Sequence, residues 1–343
     1  MKDYQARGYI FESIIWDTLL NNGYTNPDPE KTLRGRGAFH QIDAYGHLTY
    51  PIPFVYPIRL LSEAKCYKKG KKVDLPIVRN FVGVIKDISE YYIVNDDGTH
   101  NNERYTDVGC IFSSSAFTED AQNYAWAHNI KLVPFTTTEF QVIIEAIHDY
   151  VESIKNTMGN LEIQQIKNNF KQSHQYASIK DHLPTFTFGI FDEYYPVVLI
   201  SQKIWLTNDA IPRDSDVIHG LKISRKDFQD IDLGVRFNLN ILNTDVYFTL
   251  PHYIAYKVIT KIEDRLKNKN VFELNVPVLY KSDLQITDPS DAVRRIIRIK
   301  IDIEEPNLLS TQKAKIKLQL KKEDMSQKPA PQNEKSKNDV PFP

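Results

Sequence analysis

Glu63-Ala64-Lys65 is the one place in the chain where an acidic residue stands two positions before a lysine, and strand-like residues ending in Gln41-Ile42-Asp43 precede it. On a strand, residues two apart project from one face, so Glu63 and Lys65 are expected to point the same way. If the earlier strand pairs with this one, Asp43 joins them. Two carboxylates and an ammonium at one spot are costly unless their charge is compensated, and a divalent cation compensates it. Carboxylate oxygens suit Mg²⁺, which keeps several waters and accepts phosphate oxygen as a further ligand. Mn²⁺ is expected to substitute for it. The chemistry suggested is metal-assisted hydrolysis of a phosphodiester.

The elements that must position these groups are legible around them. Residues 4–22 carry Ile10, Ile14, Ile15, Leu19 and Leu20 at helical spacing, with Gly23 where a C-terminal cap belongs. Residues 38–45 and 60–67 alternate like strands, and between them Tyr50–Pro57 holds three prolines, the mark of an irregular or edge excursion. A helix follows over 76–92, with Pro76 in its first turn. Then come a loop over 93–105, a short buried strand at Val108–Phe112, a helix from Thr118 to His128 and a strand from Ile130 to Pro134. Such alternation predicts an α/β core of a mixed sheet flanked by helices. Ser113-Ser114-Ser115 is expected at a strand-end turn and not as a nucleophile.

The second half changes character. Thr185–Phe191, Pro196–Leu206, Val235–Leu242 and Asp245–Leu250 are β-branched or aromatic runs, and Asn243-Thr244 offers a hairpin turn. A helix is expected from about Pro251. Ile297, Ile299, Ile301 and Ile303 alternate with Arg298, Lys300 and Asp302, a strand with one buried face, and Ile316, Leu318 and Leu320 repeat the pattern. The expected division is a first domain over 1–150, a helical linker over 151–180, an α+β domain rich in antiparallel strands over 181–320, and a disordered tail over 321–343.

At 343 residues, two domains are the natural expectation. Two cysteines, Cys66 and Cys110, exclude a disulfide framework and a cysteine-based zinc site, and nine dispersed histidines lack metal-ligand spacing. No apolar run reaches membrane-spanning length and the start lacks a signal-peptide core, so a cytoplasmic protein without membrane attachment is expected. A net charge of −1 does not announce a nucleic-acid partner, but basic residues cluster locally. Arg34 and Arg36 precede Asp43, and Lys68 and Lys69 follow Lys65. Contacts to phosphate need only such a local surface. Gln41, placed on the Asp43 face of one strand, is a further candidate contact, whereas His40 faces the other side as a packing residue. Arg294, Arg295, Arg298 and Lys300 are read as an ordinary polar sheet face.

These pieces resemble a known superfamily. Arg7-Gly8-Tyr9-Ile10-Phe11-Glu12, Leu19-Leu20, Gly23-Tyr24, Gly37 with Gln41-Ile42-Asp43, and Glu63-Ala64-Lys65 are similar to the PD-(D/E)XK restriction-endonuclease-like superfamily, in its Mrr-like branch. Gly109–Ala121, continuing to Ala125, Ile130 and Leu132, is similar to the strand–helix–strand that closes that core. The resemblance covers about residues 4–135, and Ile42 departs from the nominal proline of the first motif.

The resemblance implies a restriction-endonuclease-like fold and a Mg²⁺-dependent DNA endonuclease serving prokaryotic restriction or defence. Asp43 and Glu63 would hold the metal, Glu12 would complete its shell from the first helix, and Lys65 would orient water or steady the developing charge. Residues 181–320 would then be a target reader, a trigger sensor or an oligomerisation module, with a homo-oligomer and a defence-system partner protein as expected company. Two other classes stay open at this stage: a catalytically silent nucleic-acid-binding module, and a nuclease for RNA or branched DNA. The bland alternative for Glu63 and Lys65 is a solvated surface pair contributing little. Against it stand the apolar neighbours Leu60, Leu61, Ala64 and Cys66 and the order of Asp43 before them.

Overall fold

The helical period of the first residues becomes α1 (Asp3–Asn21), which buries Ile10, Phe11, Ile14, Ile15 and Leu19. Gly23 follows in the left-handed region at φ 79°, where a residue without a Cβ closes the helix at least cost. In the computed structural model the described residues are 1–25, 32–48, 55–68, 70–91, 104–201, 217–223, 228–231, 234–241, 244–255, 257–258, 272–279 and 294–303. Lys69, most of the Tyr50–Pro57 and 93–105 segments, Asn243, the Ile316–Leu320 pattern and the tail from 321 lie outside them.

Strands β1 (Thr32–Arg34) and β2 (Phe39–Gln41) form a two-stranded antiparallel hairpin. A four-stranded sheet is then built from β3 (Ala44–Leu48), β4 (Ile58–Lys65), β5 (Thr106–Ser113) and β6 (Lys131–Pro134), in that order. The β3–β4 pair is antiparallel; β4–β5 and β5–β6 are parallel and are crossed over by α2 (Leu75–Ser89) and α3 (Glu119–Ala127). Parallel neighbours need such crossovers, so the alternation in the sequence leads directly to this topology. Thr118 caps α3, accepting the amide of Ala121 at 3.3 Å. One face of the sheet packs Leu61 and Ile111 against Val78, Phe81 and Ile88 of α2 and Ala121 and Ala125 of α3. Gly109 allows that close approach, since a Cβ there would meet Ile85, Ile130 and Phe81.

The expected single strand over 38–45 is corrected by the structure. It breaks at Ile42-Asp43: β2 pairs with β1, whereas β3 pairs with β4. Asp87 holds the hairpin away from the sheet, accepting the amides of Gly37 at 2.9 Å and Ala38 at 3.2 Å and pairing with His40 at 2.7 Å.

The other face of the sheet buries Leu60, Cys110, Phe112 and Val133 against α1 and against α4 (Thr138–Ile154). Residues 151–180 carry α5 (Ile163–Lys171) and α6 (His174–Ile179), whose Ile166, Phe170 and Ile179 join the same apolar core as Ile10 and Phe11.

The second sheet comprises β7 (Thr185–Phe191), β8 (Tyr195–Ser201), β9 (Val217–Ile223), β10 (Phe228–Ile231), β11 (Gly234–Ile241), β12 (Thr244–Leu250), β13 (Phe272–Leu279) and β14 (Arg294–Ile303). Its order is β10-β11-β12-β8-β7-β13-β14-β9, antiparallel throughout except β14–β9. Phe191, Phe237, Phe248, Leu274 and Ile299 fill its own core. Arg298 pairs with Glu273 across neighbouring strands at 3.3 Å, and the side chains of Arg294 and Arg295 lie outside those described. Among the described residues no helix is long and apolar enough to cross a membrane.

Contacts among the described residues tie the halves together. Ile200 and Tyr247 belong to the core that contains α1. Arg236 pairs with Glu139 at 2.5 Å and stacks 3.7 Å from the Tyr247 ring. Asn22, just past α1, donates to the carbonyl of Pro184 at 2.9 Å and accepts the amide of Phe186 at 2.6 Å. Asn22→Ala strands those backbone groups and is expected to destabilise the protein by about 1–3 kcal/mol, read from the urea midpoint. A fragment ending at residue 150 lacks Ile166, Phe170 and Ile179, each worth about 1.5–3 kcal/mol when fully buried. It is expected to melt well below one ending at residue 183, or not to fold, as compared by circular dichroism.

Candidate active site

Along β4, odd-numbered side chains turn toward α2, and the strand's last three residues emerge from the core: its burial falls from complete at Ser62 to partial at Glu63, Ala64 and Lys65. Glu63 and Lys65 form an ion pair on that face, retaining 22% and 26% of side-chain exposure. The pair is thus sheltered by the sheet and still open to a polynucleotide backbone.

Asp43 arrives from the neighbouring strand. The β3–β4 ladder ends with Ala44 opposite Ser62, so the chain just before it lies beside Glu63. There the Ala64 amide donates to Asp43 Oδ2 at 2.8 Å. That amide lies between Glu63 and Lys65 in the chain, so one hydrogen bond holds the first carboxylate against the other two groups. Ile42, 1% exposed, packs with Tyr45, Leu61, Val73 and Phe81. The residue that departs from the nominal proline therefore serves as an apolar plug that fixes the entry of Asp43.

The C-terminal end of β4 is clamped by Ser114, whose partners the sequence does not reveal. Ser114 donates its amide to the Lys65 carbonyl at 2.9 Å, and its hydroxyl accepts the Tyr67 amide at 2.8 Å. The serine run is the strand-end turn expected of it, and the clamp sets the direction in which Lys65 leaves the sheet.

The electrostatics match the crowding. Burial and the adjacent Asp43 carboxylate raise the Glu63 pKa above its ordinary value against the pull of Lys65, with a further upward push from Glu12. Burial pulls the Lys65 ammonium down, but Glu63 and Asp43 outweigh it and leave its pKa raised, so Lys65 is a cation at neutral pH.

The other candidates are placed as follows. Glu12 on α1 pairs with Lys167 of α5 at 3.1 Å, and that ammonium lies 5.5 Å from the Tyr9 ring. Glu12 is close enough for Glu63 to feel its charge, but no group of three or more His, Cys, Asp or Glu side chains among the described residues is arranged to hold a metal ion. The nearby donors are therefore Asp43 and Glu63. Two carboxylates side by side, one of them resisting ionisation because of its burial and the other's charge, suit a hard divalent cation that keeps several waters. Gln41 is exposed at the end of β2, off the strand that Asp43 leads into, so the shared strand face expected for the two is corrected. Arg34 lies over Phe39 and Tyr91 at 5.0 and 5.5 Å, and exposed Arg36 stands 3.7 Å from Glu90. Both belong to the hairpin end beside the C-terminus of α2. Lys68 is exposed just beyond β4, and Lys71 lies 4.1 Å from the Tyr67 ring.

Residues 4–139 match the Mrr_cat family model, described as a restriction endonuclease. None of the curated proteins matches the chain. A solved structure titled "Crystal Structure of Protein of Unknown Function AF1548" is similar to 48% of this chain over 96% of its own length, at 14% identity and a TM-score of 0.30.

The raised Glu63 gives a pH signature. A carboxyl whose folded-state pKa is raised contributes stability that is fully present below its unfolded value and is lost as pH rises through the folded value. A divalent cation held by this carboxyl would compete with that proton, so any rise in Tm on adding Mg²⁺ is expected to shrink as pH falls. At saturation near 100 times Kd the rise corresponds to about 2.7 kcal/mol. Asp43→Asn and Glu63→Gln are each expected to abolish it in melts with magnesium against EDTA.

Proposed function

We propose that this chain, whose residues 4–139 are a Mrr-like restriction-endonuclease domain of the PD-(D/E)XK superfamily, is a Mg²⁺-dependent endonuclease that hydrolyses DNA phosphodiester bonds. The observation that carries the reading is the Ala64 amide donating to Asp43 Oδ2, which gathers Asp43, Glu63 and Lys65 at one end of β4.

In this reading Asp43 and Glu63 hold the metal, with Mn²⁺ as a substitute. Bound there, a divalent ion would polarise the scissile phosphate and lower the pKa of a coordinated water. Lys65 remains protonated because two carboxylates face it, so it acts as a donor and a positive charge toward the phosphate and not as a proton acceptor. The sheet shields one side of the centre, which strengthens each of these interactions relative to open water. Glu12, drawn off by Lys167, influences Glu63 through its charge at a distance. Lys68 stands on the exposed chain beyond Lys65, where a phosphate flanking the cut would meet it.

We assign the chain a role in prokaryotic restriction or defence against foreign DNA, acting in the cytoplasm. The nuclease unit is read as extending through α4, α5 and α6 because their apolar faces complete the α1 core. The second sheet is then the reader, sensor or oligomerisation element, and a homodimer would let two centres cut both strands of a duplex.

Full-length protein incubated with plasmid and Mg²⁺ is expected to nick or linearise it, with EDTA stopping the reaction. Asp43→Asn and Lys65→Met are each expected to lower cleavage by roughly 10²-fold or more while circular dichroism is unchanged. Wild-type-like cutting by either variant would refute the site. Chelator-insensitive inertness on duplex, branched and single-stranded DNA and on RNA would leave a silent binding module.

A further inference from the structure

The sheet carries a second concave site at the opposite end of β4. A cavity of about 510 Å³ opens between the start of β4, the start of β5, the end of α2 and the β1 hairpin strand. Its lining includes Arg34, Arg59 and Arg104 with Tyr56, Tyr91 and Tyr105, and Asp107 is the one carboxylate among the described lining residues. Arg59 precedes Glu63 by four residues, about 13 Å at the rise of a strand, so the cavity is distinct from the carboxylate–lysine centre.

Arg34, Arg59 and Asp107 stand on β1, β4 and β5, and the last two are organised in advance. Asp107 is 2% exposed and Arg59 13% exposed, and they meet side by side, with Arg59 Nε at 2.6 Å from Oδ1 and Nη2 at 3.1 Å from Oδ2. A sheltered ion pair of this kind is a weak source of stability, and its firm consequence is to lock the guanidinium plane. That plane lies 4.5 Å from the Tyr105 ring, which in turn stacks on His47 at 4.8 Å with 8° between planes. Across the cavity Arg34 lies over Tyr91. Tyr56 is 61% exposed at the rim, a large ring left facing solvent.

Guanidinium groups suit a phosphate; Arg59 gives Nε and Nη2 to Asp107, so Arg34 and Arg104 would make the grip. Aromatic rings and flat guanidinium planes suit a planar heterocycle. The volume falls within the range of small-molecule sites. We propose that this cavity binds a free nucleotide, with its phosphate toward the arginines and its base against the tyrosines.

Isothermal titration of the full-length protein in EDTA tests this, because chelation removes the metal through which the carboxylate–lysine centre would hold phosphate, and Glu63 is paired with Lys65 there. The probes are AMP, GMP, CMP and UMP, with adenosine, inorganic phosphate and a short DNA duplex as comparisons. At least one mononucleotide is expected to bind about tenfold or more tighter than adenosine or phosphate alone, since each of those lacks one half of the recognition. Arg104→Ala and Tyr91→Ala should each weaken that nucleotide by about tenfold, with Arg104→Gln as the alternative where the alanine variant loses its melting transition. Glu63→Gln should leave it unchanged. Three results would overturn the proposal: phosphate binding as tightly as any nucleotide, absence of nucleotide binding, or binding indifferent to both variants. Displacement of the nucleotide by the duplex would instead assign the cavity to the path of DNA and would equally overturn it.

Discussion

A backbone amide at the edge of a strand needs a partner, and at Ala64 that partner is a side chain. The β3–β4 ladder stops at Ala44 and Ser62, so the next inward amide would be unpaired if the Asp43 carboxylate did not accept it at 2.8 Å. The constraint does two things at once. It satisfies a backbone donor at low cost, and it fixes an acidic group beside Glu63, a position that electrostatic repulsion alone would oppose. Ile42 drives the chain into the core immediately before, and Ser114 ties down the chain immediately after Lys65. The centre is therefore held on both sides by packing and backbone hydrogen bonds, and its charged atoms are free to respond to a ligand.

This arrangement depends on a core that extends beyond the segment matched by the family model. α1 packs on the first sheet and against α4 and α5, and the same apolar cluster reaches Leu183, Ile200 and Tyr247. Asn22 and the Arg236–Glu139 pair fasten the second sheet to this body. The pull of Lys167 on Glu12 comes from the added helices too. Segments outside residues 4–139 thus complete the core behind the candidate site and set the charge environment of one of its acids.

Period-based patterns made most of the fold legible. The isoleucines of α1, the alternation of β14 and the two crossovers each follow a strong repeat, and they lie where the repeats put them. The pairing of Asp43 with the Glu63-Ala64-Lys65 run was legible as well, because strand geometry restricts where an acid ahead of β4 can reach. Gln41 was not. Three residues alternating on paper do not reveal that Asp87, far along the chain, peels β2 away into its own hairpin. Ser114 and Asn22 were missed for a related reason: a side chain that pairs with distant backbone leaves no periodic trace. The Arg59–Asp107 pair stands in directly opposed register on β4 and β5, and opposed register across parallel strands is invisible until the strands are aligned.

The charge balance among the three groups bears on how the centre would work. Glu63 resists ionisation through burial and Asp43, and Lys65 is the cation that lets both carboxylates coexist. While Lys65 is engaged with Glu63, its ammonium is not aimed at a phosphate. Another cation on the carboxylates would remove the need for that pairing, since the attraction that holds Lys65 to Glu63 falls when the acid's charge is shared. The ammonium would then turn toward the nearest remaining negative charge, which on the proposed reading is the DNA backbone. Under that reading Glu63 and Lys65, which compensate each other across the ion pair, would divide their roles, the acid toward the cation and the ammonium toward the phosphate.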